Sequence, residues 1–193
     1  MQTVAPGASH LEVTPIAYGT RQFGGDWESV DEQAAVADLV REGLTRHVGV
    51  SNYSTDQITE FAAVLSAETV QPPYHLFRRD IEADLLPYAR AHHIGVLAYR
   101  PLAHGLLGGT ITEATAFGGD DWRSHSPAFT GPGFWRNLEV VAAPGRSAAD
   151  RSATIAQLAV AWVLAHPAVQ VAIVGSRPLA PISRKASAPS ISP

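Results

Sequence analysis

The chain has 193 residues, enough for one ordinary domain with a real core. Its 46% hydrophobic and 17% charged content describes a globular protein, and a formal net charge of −4 leaves no basic footprint for nucleic acid, so small molecules or other proteins are the expected partners. With no cysteine there is no disulfide, thiolate metal site or cysteine nucleophile, and a cytoplasmic location is the simplest expectation.

The first ten residues lack a basic stretch followed by an apolar core, so they do not read as a secretory signal. Residues 13–18 (VTPIAY) predict a short strand ended by Gly19, and Gly24-Gly25-Asp26 extends the break. Ser29 with Glu32 three positions on has capping-box spacing, which predicts a helix from Val30 that stops at Gly43. Residues 47–51 (HVGVS) follow as a strand, then a helix over 56–66 capped by Thr55, with Ile58, Phe61, Ala62 and Leu65 on one face. Val70-Gln71 predicts a strand cut short by Pro72 and Pro73, which offer no ladder donor.

Residues 81–92 predict a helix and 95–99 (GVLAY) a strand. Residues 101–136 form a long connection rich in Gly, Thr and aromatics, a length usually tied to function or disorder. Pro144-Gly145 is expected to break a helix begun after Asn137. A helix starting at Ser152 or Thr154 runs through Leu164 and turns Ile155, Leu158, Ala159 and Trp162 inward; residues 169–174 are the last strand, closed by Gly175. No apolar run approaches the roughly 18 residues of a membrane span. Residues 177–193, rich in Pro, Ser and Ala, are expected to be a disordered tail. Strands alternating with helices argue for an α/β fold of parallel βαβ units.

Several side chains have plain structural readings. His92 and His93 are expected at an exposed helix end, Arg78-Arg79 at a solvated helix entrance, and Trp122 and Trp135 packed within the long connection. His104 and His125 lack the spaced His or Glu partners of a metal site.

The segments GVSN (49–52), AYRPLAHGLLGG (98–109), DDWRS (120–124) and TIAQLAVAWVLAHP (154–167), in that order, resemble the aldo-keto reductase family. LEVTPIAYGTRQFGGDW (11–27) is similar to that family's opening, and the resemblance spans residues 1–176. It implies a TIM barrel that binds NADP(H) in an extended pose without a Rossmann glycine motif. By position, Ser51, Asn52 and Gln71 resemble the side chains that hydrogen-bond the nicotinamide carboxamide, and Tyr99 the aromatic that stacks on the ring. Leu102, Gly105 and Leu106 resemble the loop that approaches the pyrophosphate. Gly175, Ser176 and Arg177 resemble the region that holds the adenosine 2′-phosphate. Independently of the family, polar groups at the C-terminal ends of parallel strands converge where barrels bind ligands.

The resemblance also implies a tyrosine general acid assisted by a lysine, an aspartate and a histidine, all on strands two to four. Here the helix after Ser29 begins like the family's first helix and continues, near residues 37–38, like its fourth. The expected architecture is therefore a partial TIM barrel over residues 1–176 that lacks strands 2 to 4, with a seam near 37–38. Of the 14 basic residues 13 are arginine, and the single lysine is Lys185. A tyrosine without such help keeps a pKa near 10 and is a poor acid at neutral pH. Tyr18, Tyr53, Tyr74 and Tyr88 stand in no motif resembling the acid, and Asp26 is a weak substitute. The expected function is that of an NADP(H)-dependent carbonyl reductase by descent, without its catalytic set and inactive or vestigial. The alternative is a nucleotide-sensing or protein-interaction protein on the same fold. A small carbonyl compound is the expected substrate if activity survives, and exposed strand edges are expected to favour self-association.

Overall fold

The computed structural model describes residues 3–7, 12, 16–18, 40–43 and 47–175. Residues 30–39 of the predicted helix, its Ser29 cap, Asp26, the seam near 37–38 and the tail fall outside the described residues, while Val40 and Arg41 are helical. Gly43, the expected stop of that helix, takes φ 72° and its N–H donates to the Val40 carbonyl.

Five parallel strands form one sheet among the described residues: β1 (Ile16–Tyr18), β2 (Gly49–Ser51), β3 (Thr69–Gln71), β4 (Gly95–Tyr99) and β5 (Val171–Val174). Their spatial order is β1-β5-β4-β3-β2. From β2 to β5 each strand lies beside its successor, and the first strand pairs with the last, Ile16 opposite Ala172. A doubly wound sheet would reverse direction partway along this series. Continuous progression ending on the first strand is the order of a barrel wall, and the sheet is part of a TIM barrel. Among the described residues β1 and β2 are each paired on one side only.

The described residues divide into two compact units, those up to 101 with 163–175, and residues 102–162. The first carries the sheet. Val70, Val96, Ala98, Val171 and Ala172 are buried, as expected of parallel strands covered on both faces. Beyond the end of β3 two bonds still tie the chain to β4: Tyr99 N–H donates to Pro72 O at 2.9 Å, and Tyr74 N–H to Tyr99 O at 3.1 Å. At the other end of β4, Gly7 takes φ 58° against the backbone of Gly95, Glu68 and His93, where an added Cβ would lie 2.5–2.7 Å from main-chain atoms.

Two helices of this unit differ from expectation at their starts. In α1 (Thr55–Ala62) the cap is Ser54, not Thr55: the Ser54 side chain accepts from Gln57 N–H, and the Gln57 side chain accepts from Ser54 N–H. The helix buries Ile58 and Phe61 but leaves Ala62 exposed and ends four residues short of Ser66. The predicted helix over 81–92 is two pieces, a 3-10 turn over Asp80–Glu82 and α2 (Leu85–Ala91). Asp84 divides them because its carboxylate accepts from the Leu85 N–H and its own φ of −136° is not helical. His92 closes α2, stacked on Tyr88 with ring centres 4.1 Å apart, and His92 and His93 are exposed as expected.

The second unit holds 3-10 turns over Ala103–Gly108 and Trp122–His125 and the helix α3 (Gly131–Ala149). The expected break at Pro144-Gly145 does not occur; both lie inside α3, which also begins within the predicted connection. Proline removes one i to i−4 bond, that to Val140, while buried Phe134 and Ala148 anchor the helix on either side of it. Trp122 and Trp135 are 53% and 47% exposed instead of packed away, although the Trp122 ring meets Phe129 edge-on. Helix α4 (Ile155–Leu164) is capped by Thr154, whose hydroxyl accepts from Gln157 N–H while the Gln157 side chain accepts in return. Its buried residues are Ile155, Ala156, Ala159, Val160 and Val163, with Leu158 and Trp162 only half-buried. No described helix is long and apolar enough to cross a membrane.

Candidate functional site

Because the strands are parallel, their C-terminal residues fall on one rim of the sheet. Ser51 ends β2 opposite Gln71, which ends β3, and Tyr99 ends β4. Asn52 follows β2 in the left-handed region at φ 60°, a conformation asparagine tolerates better than most side chains. That turn points its N–H at the Gln71 carbonyl (3.2 Å), which also accepts from the Ser51 hydroxyl (3.1 Å). The Tyr99 hydroxyl reaches over β3 to donate to Asn52 Oδ1 at 2.7 Å. Ser51, Asn52, Gln71 and Tyr99 are thus joined by hydrogen bonds at this rim.

The polar capacity left over suits a primary carboxamide. The Gln71 side-chain amide, half-buried, makes no hydrogen bond among the described residues, and the Asn52 NH₂ is likewise uncommitted. Between them they offer donors and an acceptor, the complement of a group with one carbonyl and one NH₂. Arg100 was not singled out from the sequence. It lies at φ 58° just past β4 with its guanidinium carbon 5.0 Å from the Tyr99 ring centre. A cation directly after a strand-ending aromatic was the available signal.

In the second unit, Leu102, Gly105 and Leu106 belong to a tight turn with His104 at φ 56° and Gly105 at φ 107°. The N–H groups of Gly105 and Leu107 both donate to the Leu102 carbonyl, at 2.9 and 3.1 Å, so these two amides are committed within the turn. Leu102 and Leu106 are buried. Arg123 braces the turn: it donates to the His104 carbonyl (3.3 Å), grips both Asp121 oxygens and lies 4.3 Å from the Phe117 ring centre. The Asp121 hydrogen bonds push the Arg123 pKa up. This gives the DDWRS motif a local structural role. Gly175 follows β5 and is exposed, while Ser176 and Arg177 lie outside the described residues.

The sequence profile described as Aldo/keto reductase family matches residues 33–191. The chain belongs to the aldo/keto reductase family. It is 41% identical over 150 residues to Aldo-keto reductase YhdN of Bacillus subtilis (strain 168), covering 77% of this chain and 45% of that protein. It is 30% identical over 152 residues to Aldo-keto reductase yakc [NADP(+)] of Schizosaccharomyces pombe, covering 77% and 45% respectively. Among solved structures it is similar to the glycerol dehydrogenase AKR11B4 from Gluconobacter oxydans, with a TM-score of 0.71 and 39% identity over 76% of this chain and 45% of that one. The chain therefore spans about half the length of the relatives it matches. The family match starts after residues 11–27 and runs past Arg177, where the resemblance read from motifs ended.

Tyr74 is held in a closed network of hydrogen bonds in the sheet-bearing unit. Tyr74 is 1% exposed and donates to Glu82 Oε1 at 2.6 Å; Arg79 binds both Glu82 oxygens at 2.9 and 2.8 Å. The Arg79 hydrogen bonds, then that of Tyr74, bring the Glu82 carboxyl down to about 2. Burial, reinforced by the hydrogen bond to the Glu82 carboxylate and its charge, pushes the Tyr74 hydroxyl well above its ordinary value, opposite to what a general acid needs. Among the described residues there is no lysine, and no group of three or more His, Asp or Glu side chains that would hold a metal ion.

Proposed function

We propose that this chain is the cofactor half of an aldo/keto reductase, equivalent to barrel strands 1 and 5 to 8, which binds the nicotinamide end of NADP(H) without reducing carbonyl compounds by itself. The observation that carries the reading is the interlocked rim of Ser51, Asn52, Gln71 and Tyr99, with a carboxamide-complementary pair of amides left open. The strand order supports it: joining the first strand to the second half of a barrel across a seam near 37–38 gives the β1-β5-β4-β3-β2 sequence. NADPH, when bound, supplies a hydride; the side chains of this chain would orient the nicotinamide and, lacking a lysine-assisted tyrosine, would leave the carbonyl oxygen without its proton. The family resemblance gives Leu102, Gly105 and Leu106 the pyrophosphate-loop positions, although the Gly105 N–H is committed to the Leu102 carbonyl, and Gly175, Ser176 and Arg177 the adenosine-phosphate positions. A cysteine-free chain suits the cytoplasm, where such a ligand is available.

Two measurements test this reading. Millimolar NADPH should raise the melting temperature by mass action, and the rise should shrink in Gln71→Leu. NADPH oxidation with 4-nitrobenzaldehyde should stay at background. Absence of any shift would remove the cofactor claim, and turnover would remove the claim of inactivity. Binding without turnover is the behaviour of a nucleotide-responsive protein. A second reading, self-association through β1 and β2, is favoured by their one-sided pairing.

A further inference from the structure

Arg78, Arg79 and Arg123 each pair with a carboxylate, and Arg123 lies over the Phe117 ring as well, whereas Arg100 lies over the Tyr99 ring without a carboxylate among the described residues. It is half-buried, and among the described residues it forms neither an ion pair nor a hydrogen bond. Its charge therefore has no anionic partner among the described residues and lies over the ring of Tyr99, whose hydroxyl meets Asn52. We propose that Arg100 makes this rim select the reduced nicotinamide cofactor over the oxidised one.

The inference rests on the proposed nicotinamide site and adds a charge argument to it. The reduced nicotinamide ring is neutral and the oxidised ring is a cation, while both cofactors carry the same phosphates, so attraction of Arg100 for phosphate cancels in the ratio of affinities. A ring stacked on Tyr99 comes within about 9 Å of the guanidinium on either face, given ordinary stacking distances. Like charges at that range in a half-solvated site discriminate by a factor on the order of tenfold. The Tyr99 π face is also already engaged by one cation and is a poorer host for a second.

The test measures dissociation constants of NADPH and NADP⁺ by calorimetry for the intact chain, Arg100→Gln and Arg100→Lys. The parent chain should favour NADPH by on the order of tenfold, Arg100→Lys should keep most of that ratio, and Arg100→Gln should bring it towards parity. Raising salt on the unmodified chain should also narrow the ratio, which needs no variant to fold. Parity in the parent chain, or an unchanged ratio in Arg100→Gln, overturns the inference and leaves the cofactor site standing. Equal tightening of both cofactors in Arg100→Gln would mean that the guanidinium merely covers the ring, and also overturns it. Failure of both nucleotides to bind overturns the site and this inference together, and binding of NADP⁺ alone overturns the inference.

Discussion

Two tyrosines of this sheet are fixed in opposite electrical settings, Tyr74 buried against a carboxylate and Tyr99 at a half-open rim under a guanidinium. For Glu82, whose folded pKa is lowered from 4.5 to about 2, stability is present above the unfolded value and is lost as pH falls from about 4.5 towards 2. For Tyr74, whose pKa is raised, stability is present below about 10 and is lost as pH rises beyond it. Urea melts across these ranges should show both slopes, and Tyr74→Phe should abolish the alkaline one while destabilising the chain by about 1–2 kcal/mol. An alkaline slope that survives in Tyr74→Phe would assign it to another group. At this scale the rim was largely legible: Ser51, Asn52, Gln71 and Tyr99 are polar residues at the ends of apolar runs, where parallel strands deliver side chains to a mouth. Arg100 was not, because arginine has no preference for a left-handed backbone and its placement over Tyr99 depends on that turn.

Local rules read the strands better than the helices. β3 ends at Gln71, short as predicted, because the prolines that follow supply no donor, although the Pro72 carbonyl and the Tyr74 N–H still bond Tyr99. The helix boundaries moved where two side chains compete for one role: Ser54 takes the cap that Thr55 was expected to hold, and Asp84 caps a new helix inside a predicted one. Helix α3 passes through Pro144-Gly145 because Phe134 and Ala148 are buried along it, a tertiary term invisible to local pattern. A Cβ at Gly145 would meet only Ile155 Cδ1, at 3.9 Å. Gly145→Ala should therefore stabilise by about 0.5–1 kcal/mol in thermal or denaturant unfolding, the ordinary helix-interior gain. Gly7→Ala should do the reverse, by more than about 1 kcal/mol, because φ 58° and the Gly95 and Glu68 backbone leave no room. Equal stability of Gly7→Ala and the parent would show that the Thr3–Gly7 segment does not hold the base of β4.

Over the whole molecule, the order of strands was legible once the family resemblance was read, but the pairing of the first strand with the last required the structure. The open sides of β1 and β2 lead to the expectation of concentration-dependent association in size-exclusion chromatography, reduced by a lysine placed on the outer edge, Val50→Lys excepted because that side chain is buried. A single monomer peak at all concentrations would count against it.

The β1–β5 pairing also sets a timetable. Ala172 leaves the ribosome roughly 150 residues after its partner Ile16, a wait of about 8–30 s at ordinary elongation rates of about 5–20 residues per second. Through that interval the nascent first strand lacks the neighbour it pairs with among the described residues, so recovery of intact protein should depend on how fast the message is translated and on which chaperones meet the emerging chain.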